Sequence, residues 1–147
     1  MPISNDDRTA IQELYARNVW ALDTGDVDGY TACYTANGAL DFAAKHEGRA
    51  AIKKFAEDFR KGDPWLLGSH HLVHQFVIEG DGDRANVKAY VERIHRLPGR
   101  GRNNCNVVWA GHYNDTVVKT AGKWLFEKQI GRAWEGVVQD KVAKARA

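Results

Sequence analysis

The stretch from Ser69 to Arg96, SHHLVHQFVIEGDGDRANVKAYVERIHR, constrains the fold more than any other part of the chain. It predicts two long strands joined by a tight turn at Glu79-Gly80-Asp81-Gly82-Asp83, whose residues tolerate positive φ. The second strand alternates, with Ala85, Val87, Ala89 and Val91 on one face and Arg84, Asn86, Lys88 and Glu92 on the other. The first strand does not. His71, Val73, Gln75 and Val77 share one face by strict alternation, and Leu72, His74, Phe76 and Ile78 share the other. Both faces read as buried, so imidazoles sit where a plain sheet carries Val or Ile. A histidine among apolar neighbours needs a hydrogen-bond partner or a chemical task.

Helices precede this hairpin. Ser4-Asn5-Asp6-Asp7 offers an N-cap and early acids. Ile11, Leu14, Tyr15, Asn18, Val19 and Leu22 then recur at helical spacing, so a first helix is expected to about Leu22. Asp23-Thr24-Gly25-Asp26 breaks it, and Asp26 caps a second helix expected over Val27–Tyr34. A short strand is expected at Ala39–Phe42. A third helix is expected over Ala50–Lys61, with Ile52, Phe55, Ala56 and Phe59 inward. After the hairpin come a turn at 97–104 and two more strands, Cys105–Lys119 and Lys123 to about Trp134. Helices first and an antiparallel meander last define an α+β class. Such long strands must curl, and helices against the curled face leave room for a cavity.

The chain has 147 residues, the size of a single domain, assigned here to 1–147 with a basic tail at about 138–147. Its net charge of +2 comes from interspersed acids and bases, which argues against a nucleic-acid partner. The N-terminus lacks an apolar signal region and no run approaches membrane-spanning length, so a cytoplasmic protein without a membrane partner is expected. Cys33 and Cys105 match no metal spacing, and reduced thiols are expected. Adjacent His70 and His71 project to opposite faces of a strand, so no metal site is expected. No Gly-rich nucleotide fingerprint follows a strand, and no cofactor is expected.

Three stretches carry a resemblance that covers about residues 6–134. They are Ile11-Gln-Glu-Leu-Tyr with Ala21-Leu-Asp-Thr-Gly-Asp26, Ser69-His-His-Leu-Val-His-Gln75 with Ile78-Glu-Gly-Asp-Gly-Asp83, and Gly111-His-Tyr-Asn-Asp115 with Gly122-Lys-Trp124. In order and spacing they resemble the SnoaL-like branch of the nuclear-transport-factor-2-like superfamily. The resemblance implies a cone: a strongly curved antiparallel sheet wrapped on three N-terminal helices around a pocket. In lyases and isomerases of this branch (scytalone dehydratase-like, dehydrochlorinase-like, bile-acid dehydratase-like) an Asp after helix one and a His opening the long strand form a dyad. By position these are Asp23 and His71. Two positions depart from the pattern: Gln75 stands where the branch has Asn, and Asn18 where it often carries Tyr or Lys.

The implied chemistry is cofactor-independent elimination. A neutral imidazole is a suitable base near pH 7, and a carboxylate on its other nitrogen fixes the tautomer and stabilises the imidazolium. Donors are then needed where negative charge develops. Candidates are Asn18, Tyr30, Tyr113, its strand neighbour His112, of which only one can face a cavity, and Arg132. Trp20, Trp65, Trp109 and Trp124 are candidate walls for a hydrophobic, aromatic substrate. Bland readings stand beside these. Asp23 fits an ordinary turn acid, His71 a satisfied core histidine, Tyr30 a core residue, and Arg132 a surface salt bridge. The expected function is a lyase that loses water, halide or a small carbonyl fragment such as formaldehyde. The alternatives are a polyketide cyclase-like or isomerase activity, and a non-catalytic accessory subunit of the ring-hydroxylating dioxygenase type. A homo-oligomer, dimer or trimer, is expected.

Overall fold

The computed structural model describes residues 1–62, 69–96 and 105–134. Trp65, the turn at 97–104 and the basic tail lie outside the described residues. Helix α1 spans Asn5–Thr24, α2 Val27–Ala32 and α3 Gly48–Gly62. The strands are β1 Tyr34–Phe42, β2 Ala44–Glu47, β3 Ser69–Asp81, β4 Arg84–Arg96, β5 Cys105–Thr120 and β6 Lys123–Ala133. They form one sheet in the order β2-β1-β6-β5-β4-β3. Neighbours pair antiparallel except β1 with β6, which run parallel. The α+β class expected from the sequence is present. Among the described residues, no helix is long and apolar enough to cross a membrane.

The helices begin and end where local chemistry dictates. The Ser4 hydroxyl accepts the Asp7 N–H at 3.1 Å to cap α1, and the Asp26 carboxylate accepts the Gly29 N–H at 2.8 Å to cap α2. Gly25 adopts φ 81°, the left-handed conformation that closes α1, and returns its N–H to the Ala21 carbonyl. Two boundaries differ from expectation. Helix α2 stops at Ala32, because Tyr34 begins a strand five residues longer than its apolar core suggests. The short edge strand β2 folds back on β1, within what reads from sequence as the lead-in to α3.

The inward stripe of α1 (Ile11, Leu14, Tyr15, Asn18, Val19, Leu22) is buried as its periodicity predicts. It packs with Ile52 and Ala56 of α3 on the concave sheet face, against Val87, Val117 and Phe126. Burying one such large apolar side chain stabilises the fold by roughly 1.5–3 kcal/mol.

Register shifts in the sheet set which side chains it turns inward. Between His74 and Val77 the β3–β4 register shifts, so two residues of β3 oppose one of β4, and Gln75 adopts φ 58°. Ser69, His71 and Val73 face inward before the bulge, and Phe76 and Ile78 after it, while Leu72, His74 and Val77 are exposed. This resolves why both faces of β3 read as apolar: the chain changes parity midway. A second register shift, between Thr116 and Val117 of β5, gives β6 an extra residue around Glu127. Trp124 and Phe126 point inward before it, and Gln129 and Gly131 after it. A third shift falls between Arg93 and Ile94, opposite Val108.

Candidate active site

Asp23 and His71 meet although 48 residues separate them. Asp23 lies in the last turn of α1, fixed by the Gly25 cap, and His71 lies near the start of β3. One carboxylate oxygen, Oδ2, accepts the backbone N–H of His71 at 2.8 Å, and the other, Oδ1, lies 2.6 Å from Nδ1 of the ring. Both side chains are nearly covered, at 12% and 10% exposure. With an ionised carboxylate as acceptor, the Nδ1 contact requires a proton on Nδ1. Nε2 is then the ring's basic atom, and the imidazole lines a cavity of about 450 Å³ between the helices and the curled sheet. The backbone contact adds what a side-chain contact alone lacks: Asp23 is tied to the main chain that carries the base, so ring and carboxylate move together.

The cavity wall is mostly apolar: Leu22, Leu40, Phe42, Phe55, Phe59, Val108 and Trp109. Phe42 and Trp109 pack edge to face at 5.3 Å. Two inward glycines make room for them. A Cβ on Gly111 would lie 2.5 Å from the Trp109 ring, and one on Gly131 would lie 2.7 Å from the Phe42 ring. The polar groups in the wall are His71, Tyr30, Tyr113, Gln129, Arg93 and His95. Burial pushes the Tyr30 and Tyr113 hydroxyls above their ordinary value, so both are neutral hydrogen-bond donors at physiological pH.

Behind the cavity lies a second polar cluster. Tyr34 donates its hydroxyl to Gln129 and lies 3.0 Å from the Tyr30 hydroxyl. Asp115 is fully buried. Its Oδ2 accepts the Tyr15 hydroxyl at 2.6 Å and its Oδ1 accepts the Ile130 N–H at 2.7 Å. Desolvation dominates and pushes the Asp115 carboxyl up to about 8, although its hydrogen bonds to Tyr15, the Ile130 backbone and Gln129 pull the other way.

The structure brings together only some of the residues expected at the site. Asp23, His71, Tyr30, Trp109 and Tyr113 meet at or around the cavity. Tyr113 is the inward member of its pair, and His112 instead packs on Trp134 at 5.1 Å. Trp20 is not a wall residue: it is 71% exposed, on the outer side of α1. Trp124 is tied to α1 through Nε1 and the Asp7 carboxylate at 2.8 Å, and it too lies outside the cavity. Asn18 is 2% exposed and faces the core, outside the cavity wall; its Nδ2 has no hydrogen-bond partner among the described residues. Arg132 points outward because the β6 bulge inverts the stripe on which it lies. It donates to the Asp41 carbonyl at 3.0 Å and pairs with the Asp41 carboxylate at 3.0 Å, the surface salt bridge of the bland reading. Trp65 falls outside the described residues.

Three polar wall residues were not singled out from the sequence. Arg93 and His95 continue the inward alternation of Ala85, Val87, Ala89 and Val91, so extending that count by two steps finds them. Gln129 has no such signal, because strict alternation from Trp124 assigns it to the outer face.

Residues 4–129 match the SnoaL-like domain family, and the chain belongs to it. No curated protein sequence matches the chain. Among solved structures, a Nostoc punctiforme protein of unknown function with a cystatin-like fold is 25% identical, with a TM-score of 0.79 over 90% of this chain and 95% of that one. A Novosphingobium aromaticivorans protein named provisionally as a scytalone dehydratase is 25% identical, with a TM-score of 0.73 over 86% and 83% of the two chains. ActVI-ORFA from Streptomyces coelicolor shares the fold at 18% identity, with a TM-score of 0.76 over 88% and 96%.

Proposed function

We propose that the protein is a cofactor-independent lyase acting on a hydrophobic, aromatic small molecule, with His71 as general base and Asp23 as its orienting carboxylate. The observation that carries this reading is the two-point Asp23–His71 contact on the wall of an aromatic cavity. An ordinary turn acid has no need to hold both the amide and the ring of one histidine 48 residues away. The provisional name of the Novosphingobium relative supports the dehydratase form of the reaction.

Catalysis follows from the arrangement. Substrate enters against Phe42, Phe55 and Trp109, which exclude water around the reacting bond. Nε2 of His71 takes a proton from carbon, and the Asp23 carboxylate stabilises the imidazolium that forms. Tyr113 offers a neutral O–H donor where negative charge develops. The leaving group departs as the double bond forms. For loss of water, the same imidazolium returns its proton to the departing hydroxide. For loss of formaldehyde, His71 takes the hydroxyl proton, the carbon–carbon bond breaks with its electron pair passing into the substrate carbonyl as an enolate, and the imidazolium returns the proton to that carbon. The dyad likewise favours an enzyme over an accessory subunit.

A panel of aromatic β-hydroxy carbonyl compounds, read by mass spectrometry, tests this. Loss of water or formaldehyde that disappears in His71→Ala supports the lyase. An isomeric product of unchanged mass identifies the cyclase alternative. Undiminished turnover by a folded His71→Ala protein removes His71 from the mechanism.

A further inference from the structure

The outer face of the sheet, behind the cavity, carries a largely apolar patch that lies open to solvent. On β4 its side chains are Lys88, Tyr90 and Glu92, and on β3 Val77, His74 and Leu72 stand opposite them in that order. Tyr90 also faces His112 of β5. The rings interlock. Tyr90 meets His74 edge to face at 5.9 Å and Trp134 at 5.2 Å, and Trp134 packs on His112 at 5.1 Å. Yet Leu72, Val77 and Tyr90 are 42–50% exposed. The patch has a boundary. Toward the β3–β4 turn the same face becomes polar, where Arg84 pairs with Glu127 and the Thr116 hydroxyl donates to Asn86. Strands about 4.8 Å apart and a rise of about 3.3 Å per residue make the patch roughly 20 Å across, the scale at which exposed apolar surface marks an interaction site.

We propose that a second copy of the chain docks on this patch, with Tyr90 on the two-fold axis and the two β4 strands antiparallel. The charges select both the partner and its direction. Lys88 and Glu92 lie two residues to either side of Tyr90, about 7 Å from it along the strand. Lys88 has no ion-pair partner among the described residues. Glu92 touches Nε2 of His74 through one oxygen only. A two-fold axis that crosses the strands at Tyr90 reverses the strand direction. It sets Lys88 over the partner's Glu92 and Val77 over the partner's Leu72, so charge meets opposite charge and apolar meets apolar. A two-fold axis along the strands would set Lys88 over Lys88 and Glu92 over Glu92, which like-charge repulsion disfavours. The patch is thus its own complement, as a closed dimer requires. Its centre is the aromatic cluster around Tyr90, the kind of rigid ring anchor that dominates binding energy at interfaces. Leu72 and His112 alternate with the inward His71 and Tyr113, so the stack backs the strands that carry the site and leaves both cavities facing away from each other.

Sedimentation velocity of the full chain over a range of concentrations tests this. The wild type is expected to be a dimer. Lys88→Glu and Glu92→Lys are each expected to weaken the dimer at least about 10-fold, because each sets like charges against each other twice across the axis. Mixing the two variants is expected to restore association, since both contacts of the mixed dimer are then of opposite sign. That rescue joins two separately folded proteins, so damage to the fold cannot imitate it. Tyr90→Glu is expected to give a monomer with an unchanged melting temperature. A trimer, or a dimer that the charge reversals and Tyr90→Glu leave intact, overturns the proposal. Weakening by each reversal without rescue on mixing overturns the antiparallel stack. A monomeric wild type overturns the second copy as the occupant. If Tyr90→Glu then lowers the melting temperature, the patch is covered from within the chain, and residues 135–147, which follow Trp134, are the segment in reach.

Discussion

Two carboxylates of this protein are built alike and do different work. Asp23 accepts a backbone N–H and a ring N–H from one residue, His71; Asp115 accepts a backbone N–H from Ile130 and a hydroxyl from Tyr15. Each ties a side chain on one element to the main chain of another. The difference is what lies beyond the ring. The His71 imidazole opens onto a cavity. Tyr15 is sealed in the core among Phe76, Tyr113 and Phe126. In the proposed function the first pair passes a proton to a bound molecule. The second has no outlet, and burial instead holds the Asp115 proton on up to a pH of about 8. A hydrogen-bonded carboxylate is therefore a poor marker of catalysis by itself, and access for the partner's free atom decides.

The largest effects belong at the dyad. His71→Ala is expected to lower turnover at least about 10³-fold with the melting temperature little changed, since the residue lines a cavity instead of filling the core. Asp23→Asn keeps the shape but removes the acceptor charge that fixes the tautomer. It is expected to lower kcat by roughly 10²–10³-fold with KM nearly constant. A fall in KM-dependent binding with unchanged kcat would show instead that Asp23 only shapes the pocket.

Asp115→Asn separates the second carboxylate from the first. The folded chain binds the Asp115 proton below about pH 8, whereas the unfolded chain binds it only near the ordinary 3.8. Between those values the folded state carries the extra proton, so stability is fully present below about pH 4 and falls as pH rises through about 8. The slope contributed by this one group reaches about 1.4 kcal/mol per pH unit. Asparagine mimics the protonated acid. Urea unfolding at several pH values is expected to show a flatter profile for Asp115→Asn, nearly equal to the wild type in acid and more stable near pH 8. An unchanged slope would mean that Asp115 is ionised in the core. Tyr15→Phe removes the hydroxyl from the same pair and is expected to cost about 1 kcal/mol at pH 7, read by the same measurement.

How much of this is legible in the sequence depends on parity. The inward stripes of α1 and of β4 follow from periodicity, and the positions of Asp23 and His71 follow from the resemblance. Periodicity fails at the bulges. The Gln75 bulge makes β3 apolar on both faces of a strict count, and a count that ignores the Glu127 bulge assigns Arg132 to the cavity and Gln129 to solvent, the reverse of what the chain does. A bulge of this kind needs no Gly or Pro, so it leaves no turn residue to find. For Trp20 the signal is present: helical periodicity sets it opposite the inward stripe of Ile11, Tyr15, Asn18 and Leu22, and only its aromatic bulk argues for burial.

Arg132 completes the comparison with a third carboxylate, Asp41, on the outer face of the sheet. The guanidinium holds the Asp41 carboxyl below its ordinary value, so both partners remain charged through neutral pH. Yet half of the Arg132 side chain is in solvent, where Coulomb attraction is screened and the cost of ordering a long side chain offsets most of it. Arg132→Ala is accordingly expected to change stability by no more than about 0.5 kcal/mol and turnover by less than 2-fold. A thermal melt and a rate measurement check both. A loss of turnover comparable to that of Asp23→Asn would place Arg132 at the substrate after all, and would mean that strand β6 turns its stripe inward when the cavity is occupied. The expected silence of this pair sets it against the other two: all three carboxylates are directly paired, and the consequence is set by what each pair excludes from water and what it faces.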